Sequence, residues 1–577
     1  MKMGARYFLS FMWALGLAAT ACTTSTPQSP ASPPTASQPK ASAPTATAQP
    51  AQAAAPTSAV GRQDVTFQSG NLTLVGTLYK PGGPGPFPAV VWNHGDEKDP
   101  QSGPDFDALA QIFVPAGYVL FAPVRRGQGK SQGQSLAEQM AQAQQSGGAA
   151  AAQKLFVQQM EGAQLNDQLA GLQYLKTQQF VDQNQLAVAG CGSGGVQALL
   201  AAAKGVGYKA AIAESPGSDM WDGDTALQQS LSQAAQNTNV PVFLVQPDHD
   251  ASAGPSYTLG QEFLKLGKAY SVEIVPPYGT QTEQGECFGG AAGYHWWADD
   301  VLAFIHEAFT PSASMASAGV AQKGAAGIAK KQIALQSDGL TLEAFVYKPQ
   351  GPGPFPGLIW NHGSEQDPVG QGEFDRIAEL FVPHGYVLVT PARRGHSESQ
   401  GTYIDDAVKA EIQAHGKPAA AQLMVQLMST EQLDDQLAGL NYLKTLPYVD
   451  TSRLADIGCS YGGIETLFGA EAGDGFKAAI AISPGAESWD GNKPLDARLL
   501  QAVDNIKIPV FVIHPAKDAS LNPGFNLGPE FQKLGKPYGL KIFPPFGPAQ
   551  AQGHCFPGQG TQIWGPDALT FLSNELH

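Results

Sequence analysis

From about residue 62 onward the sequence is written twice at one constant spacing. TLYKPGGPGPFPAVVWNHG at 77–95 returns as FVYKPQGPGPFPGLIWNHG at 345–363. FVPAGYVLFAPVRRG at 113–127 returns as FVPHGYVLVTPARRG at 381–395, and LNDQLAGLQYLKT at 165–177 as LDDQLAGLNYLKT at 433–445. Every pair lies 268 positions apart (345 less 77). A single offset means that the copies align almost without gaps, and so long a period is domain duplication, not a solenoid unit. Copy one spans 62–310 and copy two spans 331–577, with the small, polar stretch 311–330 as the linker between them.

Each copy alternates strand and helix patterns. In copy two, PGLIWN is a short apolar run suited to a strand buried on both faces. FDRIAELFVPHG follows with helical spacing and a glycine stop at Gly385, and YVLVTPA is the next strand. One long helix is expected from about Ala419 to Leu446. RLADIGCS, FKAAIAIS, VFVIHP and LKIFPP read as further strands. This alternation predicts an α/β fold: two tandem domains, each a mostly parallel sheet flanked by helices. Ligands of such sheets bind at the carboxyl ends of the strands.

The N-terminus is of another kind. Lys2 and Arg6 precede an apolar run from Tyr7 to about Ala19, which reads as a signal peptide over 1–21. Ala19-Thr20-Ala21-Cys22 resembles a bacterial lipobox, which implies a lipid on the Cys22 sulfur; the alternative is an ordinary secretory signal with an incidental cysteine. Thr23, in place of aspartate, points to the outer membrane. Residues 22–61 are almost all Ala, Pro, Ser, Thr and Gln, a flexible linker. The expectation is an exported lipoprotein, at the periplasmic face or cell surface, that meets the membrane through its anchor only. The net charge is −16 with no Lys/Arg run, which excludes nucleic acid as an expected partner.

The chemistry is expected where GCSYGG (458–463) follows a strand and precedes a helix. This is the context of a nucleophile elbow, with Ser460 exposed on the turn and the Tyr461 amide beside a developing oxyanion. A serine needs a base, and the base needs an orienting acid. Asp518 follows VFVIHP, and His554 follows KIFPP in GHCF. The order Ser, Asp, His, each after a separate strand, is the α/β-hydrolase order. With WNHGS, RRGHSESQG, GCSYGG and GHCF, copy two resembles the dienelactone hydrolase and prolyl-oligopeptidase-like branch of the α/β-hydrolases. The resemblance implies a serine hydrolase, with Gly363 and Ser364 in the loop that gives the second oxyanion donor. Dienelactone hydrolases proper use a cysteine; here Cys459 stands one place early and serine holds the position. An ester of a small molecule or a polymer is the expected substrate, with a peptide bond as the enzyme alternative. A non-catalytic cell-surface binding protein is the alternative from another class.

Copy one departs from this set. Gly192 stands for Ser460 and Glu286 for His554, while Asp250 matches Asp518. Copy one is therefore expected to be catalytically degenerate. Ser193 falls at the place of Tyr461, and His249 and His295 are near in sequence, but neither is at the base position.

Cys191 and Cys287 correspond to Cys459 and Cys555. Each copy has one cysteine beside the elbow residue and one beside the base position, loops that meet in the fold. Two disulfides, Cys191–Cys287 and Cys459–Cys555, are expected in an exported protein; free buried thiols are the alternative. His94 and His362 are expected to shape the oxyanion loop; no spacing supports a metal, and no cofactor is called for. Arg125, Arg126, Arg393 and Arg394 read as loop anchors, and Asp434 and Asp435 as solvated or capping groups. Trp221 and Trp489 read either as pocket lining or as packing. Residues 401–428 (with 133–160 in copy one) read either as a lid or as a surface helical insertion.

Overall fold

The computed structural model describes residues 61–310, 328–545, 552–556 and 560–577. The expected signal peptide, Cys22 and nearly all of both linkers lie outside the described residues. At the linker ends, strand already begins at Gly61 and Ala329, one and two residues earlier than the copy boundaries read from sequence.

Copy one supplies strands β1 (Gly61–Ser69), β2 (Leu72–Lys80), β3 (Phe87–Asn93), β4 (Val119–Pro123), β5 (Val181–Cys191), β6 (Ala210–Glu214), β7 (Val242–Pro247) and β8 (Tyr270–Val275). Copy two supplies β9 (Ala329–Ser337), β10 (Leu340–Lys348), β11 (Phe355–Asn361), β12 (Val387–Pro391), β13 (Val449–Cys459), β14 (Ala478–Ile482), β15 (Val510–Pro515) and β16 (Tyr538–Phe543). In copy one the spatial order is β1-β2-β4-β3-β5-β6-β7-β8, antiparallel up to β4 and parallel from there. Copy two repeats it. The parallel strands β4, β6, β7 and β8 are buried at every position, as strands covered on both faces by helices must be. The outermost strands β1 and β9 alternate exposed and buried residues near their ends and carry charged side chains, which discourages further edge pairing.

The two sheets are one. β8 pairs antiparallel with β16, giving a continuous sheet of 16 strands. The register sets Leu540 opposite Ile274, Lys541 opposite Glu273 and Ile542 opposite Val272. Lys541 and Glu273 are the same position of the repeat, so the pseudo-twofold axis passes through this pair. A residue on such an axis faces its own counterpart, and two identical charges there would repel. The copies have diverged to opposite signs instead. Lys541 Nζ is buried 3.5 Å from Glu273, 2.7 Å from Asp300 and 2.6 Å from Asp567. These three carboxylates are close enough to hold a metal ion; the ammonium stands among them as their counter-charge. Ser271 Oγ donates to the Ile542 carbonyl, and Tyr538 N–H to Asp248, across the same junction.

Two expectations are corrected, and the alternative left open for the tryptophans is decided. Asp435 is not a solvated group: it is fully buried and takes both Arg394 Nη2 (2.7 Å) and Nε (2.9 Å), as well as the Arg394 amide. Its counterpart Asp167 holds Arg126 in the same way. Asp434, one residue round the helix, is exposed. The single helix over 419–446 is two, Lys417–Ser429 and Glu431–Lys444. Ser429 Oγ and Thr430 Oγ1 each donate to the carbonyl four residues back, and Thr430 leaves helical geometry at φ −129°. The tryptophans Trp221 and Trp489 are 3% and 1% exposed and belong to the core packing.

We expect Asp435→Ala to destabilise by about 1.5–3 kcal/mol, since it removes the buried two-point partner of Arg394 and leaves the guanidinium only the exposed carboxylates of Glu431 and Asp338. Urea unfolding measures this, and a loss below about 1 kcal/mol would place the pair among the inconsequential surface ones.

Candidate active site

Ser460 occupies the turn between β13 and the helix Tyr461–Ala472 at φ 61°, ψ −117°, a strained conformation for a residue with a side chain. Glycine is required around it. A Cβ on Gly462 would overlap the Asn361 carbonyl, and one on Gly463 would stand 2.9 Å from the Ile482 carbonyl. The turn is then tied to the next strand: Ser460 N–H donates to Ile482 O (3.0 Å) and Gly485 N–H to Ser460 O (3.1 Å).

The structure brings Ser460, His554 and Asp518 into one hydrogen-bonded chain. Ser460 Oγ is 2.9 Å from His554 Nε2, and His554 Nδ1 is 2.6 Å from Asp518 Oδ1. Asp518 lies in the turn after β15, where Ala519 N–H donates to the same oxygen at 2.8 Å. Both expected disulfides are formed, with Cα–Cα separations of 5.7 Å for Cys191–Cys287 and 6.0 Å for Cys459–Cys555. In copy two the bond joins the residue before Ser460 to the residue after His554, so it ties the base loop to the elbow.

Burial works against charge on Asp518, but hydrogen bonds from His514 and His554 outweigh it and hold the carboxyl well below its ordinary range. Burial also opposes charge on His554, yet the bond and charge of Asp518, with Glu487 and Glu365, raise its pKa above the ordinary 6.5. A base must be neutral to accept a proton. We therefore expect the acid limb of a kcat/KM–pH profile to fall above pH 6.5 and to be lost as pH drops through that value. An acid limb centred near pH 5 would exclude this assignment.

Of the three residues expected at the oxyanion site, Gly363 is corrected. Its N–H donates to Glu365 Oε1 at 3.0 Å, so it is already engaged. The Tyr461 amide lies in the first turn of its helix, where no intrahelical acceptor exists, and a Cβ on Gly363 would stand 3.5 Å from Ser460 Cβ, which sets the Gly363–Ser364 loop beside the serine. The loop is fixed from below. Arg393, buried against Glu465 at 2.7 Å, donates to the Gly363 carbonyl, and its own amide donates to His362 Nε2 at 3.1 Å. Burial, with Arg393 alongside, lowers His362 to about 4, so it stays neutral there. Tyr403 Oη donates to the Ser364 carbonyl. Residues 401–428 fold as a helical hairpin, Ile404–His415 and Lys417–Ser429. Its Met424 Sδ receives Asn492 Nδ2 at 3.4 Å and lies 3.9 Å from the Tyr461 hydroxyl, so the hairpin packs against the side chain that follows Ser460.

Copy one keeps the turn with other side chains on it. Gly192 has φ 56°, ψ −119°, nearly the geometry of Ser460. A Cβ there would meet Glu286 Oε1 at 2.6 Å. Glu286 is exposed as a residue, with its carboxyl directed at Gly192; burial of that group, with Asp219, Asp250, Asp96 and Glu97 around it, pushes it up to about 8. Asp250 accepts from Ser218 Oγ (2.8 Å), Gln246 Nε2 (2.9 Å) and Ala251 N–H (2.7 Å). Ser193 donates to Asp96 at 2.7 Å and receives Arg125 Nη1 at 3.0 Å. Neither His249, bonded to Gln284, nor His295, bonded to the Ala292 carbonyl, joins it. Arg125 has turned to this serine because Gln197 replaces the glutamate that Arg393 finds in Glu465.

Sequence reasoning missed His514, Glu365 and Tyr403. His514 carried a signal: it is the one polar side chain in VFVIHP, a strand buried at every position.

Residues 342–556 match the dienelactone hydrolase family, and residues 104–242 match the prolyl oligopeptidase family. A probable dipeptidyl-aminopeptidase B of Metarhizium robertsii is 44% identical over 55 residues, which are 9% of this chain and 6% of that protein. Among solved structures, an acylaminoacyl peptidase in complex with a chloromethyl ketone aligns at 20% identity and a TM-score of 0.33, covering 43% of this chain and 42% of its own. The Pyrococcus furiosus esterase Pf2001 aligns at 16% identity and a TM-score of 0.33, over 43% of this chain and 92% of its own. The chain thus spans well under half the length of the first two relatives named.

Proposed function

We propose that the chain is an α/β-hydrolase of the serine-hydrolase kind, in which copy two cleaves carboxylic esters with Ser460, His554 and Asp518 while copy one does no chemistry. The observation that carries this reading is the unbroken chain Ser460 Oγ–His554–Asp518 at 2.9 and 2.6 Å. Ser460 Oγ attacks the acyl carbonyl as His554 Nε2 takes its proton. The amides of Tyr461 and Ser364 receive the oxyanion. His554 then protonates the departing alcohol, and water, activated by the same imidazole, releases the acid. Asp518 orients His554 and stabilises the imidazolium.

Peptide-bond cleavage by the same residues is the second reading, favoured by the prolyl oligopeptidase match in copy one. The binding-protein reading is disfavoured by so complete a hydrogen-bonded set. We propose further that the chain works on the far side of an inner membrane, tethered through Cys22 and the stretch 22–61. Steady-state kinetics of the purified protein on short-chain aryl esters and on aminoacyl anilides separate the readings. Ester turnover with no cleavage of the matched anilide is expected; an ester is the easier bond for any serine acyl-transfer site, so clear anilide turnover would by itself assign the peptidase reading.

A further inference from the structure

Asp518 has a second histidine. His514 lies on β15, fully buried, with Nδ1 2.7 Å from Asp518 Oδ2, while His554 takes the other oxygen. An ionised carboxylate only accepts, so both imidazoles present an N–H to it. Among the described residues, His514 Nε2 is buried without a partner. The ring is therefore held in the interior by one strong contact, and that contact is Asp518.

The duplication supplies an internal comparison. The same position in copy one is Gln246, whose Nε2 donates to Asp250 Oδ2 at 2.9 Å. The surroundings changed with it. Gln246 Oε1 accepts from the Ser256 amide, and the counterpart of Ser256 in copy two is Gly524. A Cβ on Gly524 would stand 2.7 Å from Leu540 Cδ1 and 3.2 Å from the His514 ring, so glycine leaves the room the imidazole fills. Two different side chains thus bring one donor to one oxygen of the same aspartate. What the position requires is the donor.

On the reading that copy two is the hydrolase, we propose that His514 is a positioning residue: its Nδ1–H fixes the Asp518 carboxylate through Oδ2, so that Oδ1 stays directed at His554. Without that donor the carboxylate is free to turn about its Cβ–Cγ bond, and the oxygen left in the interior loses its hydrogen bond. It would then share its orientation between solutions that serve His554 and those that do not. The groups that face His554 are Asp518, Glu487 and Glu365; those bonded to Asp518 are the two histidines and the Ala519 amide. A carboxylate that spends part of its time turned away from His554 supports the imidazolium less.

The test uses the full chain with an aryl ester, wild type and Ser460→Ala first. If wild type turns the ester over and Ser460→Ala does not, the reading beneath this proposal stands and the variants address His514 alone. We expect His514→Leu to lower kcat by about 10- to 100-fold with KM nearly unchanged, as loss of a hydrogen bond to a charged group does, and to move the acid limb of kcat/KM to lower pH. We expect His514→Gln, which copies Gln246, to restore kcat to within a few-fold of wild type and to leave the acid limb in place. Wild-type kcat in His514→Leu would overturn the proposal, as would a folded His514→Gln no better than His514→Leu. A direct reading is independent of how the variants fold: proton NMR of the wild type should show two low-field imidazole N–H resonances, His514 and His554, and one alone would overturn the proposal.

Discussion

Ser460→Ala should lose about five to six orders of magnitude in kcat on any substrate the protein turns over, the scale seen when a serine of a hydrogen-bonded triad is removed. The size follows from the arrangement. His554 and Asp518 have no nucleophile to serve once Oγ is gone, so their contributions vanish with it, and only the oxyanion amides and substrate binding remain. A fluorophosphonate probe gives the same answer covalently: labelling confined to Ser460 in the wild type and absent from Ser460→Ala. Labelling that persists in the variant and maps to Ser193 would mean that the Asp96–Ser193–Arg125 cluster of copy one is a working site. The fold should be unaffected, because the turn's demand is for a small residue at positive φ and Gly192 already fills its counterpart.

Lys541→Met should produce the largest loss of stability, about 3–5 kcal/mol, by leaving Glu273, Asp300 and Asp567 together without a cation. In the wild type, burial raises Glu273 well above the ordinary carboxyl range even with Lys541 beside it. Without the ammonium the carboxyls rise further and the folded state holds extra protons. An acid whose folded pKa lies above its unfolded one stabilises below the unfolded value and loses that contribution as pH rises. The deficit should therefore be smaller near pH 5 than near pH 8. Urea titrations at both values measure it, and a deficit that is equal at both, or absent, would count against the buried cluster. The loss should appear as separation of the two copies, because the cluster sits on the β8–β16 seam.

How much of this was legible beforehand depends on the range of the interaction. The duplication, the α/β class, the elbow glycines and the Ser–Asp–His order are local patterns or comparisons of one half with the other, and these require no coordinates. Cys459 and Cys555 could be paired because each adjoins a residue already placed in the site. Asp435 could not be read as buried, since a helix pattern says which face is polar and not that an Arg394 from a distant loop turns to meet it. The engagement of Gly363 by Glu365 is of the same kind: two residues apart in sequence, they are joined by a loop conformation that no periodicity encodes.

The sequence by itself determined what each copy is, since hydrophobic runs with glycines at fixed positions leave few ways to wind a parallel sheet. It determined, too, which copy retains a serine and a histidine at the two positions, Ser460 and His554 against Gly192 and Glu286. Only the tertiary structure decided that the copies share one sheet of 16 strands, because edge pairing depends on which strand faces which and not on the composition of either. It also decided that Lys541 meets its own counterpart across a pseudo-twofold axis, and that Asp518 is held by His514 as well as His554. Both are contacts between residues whose meaning lies in a distance, and distance across a fold is set by packing.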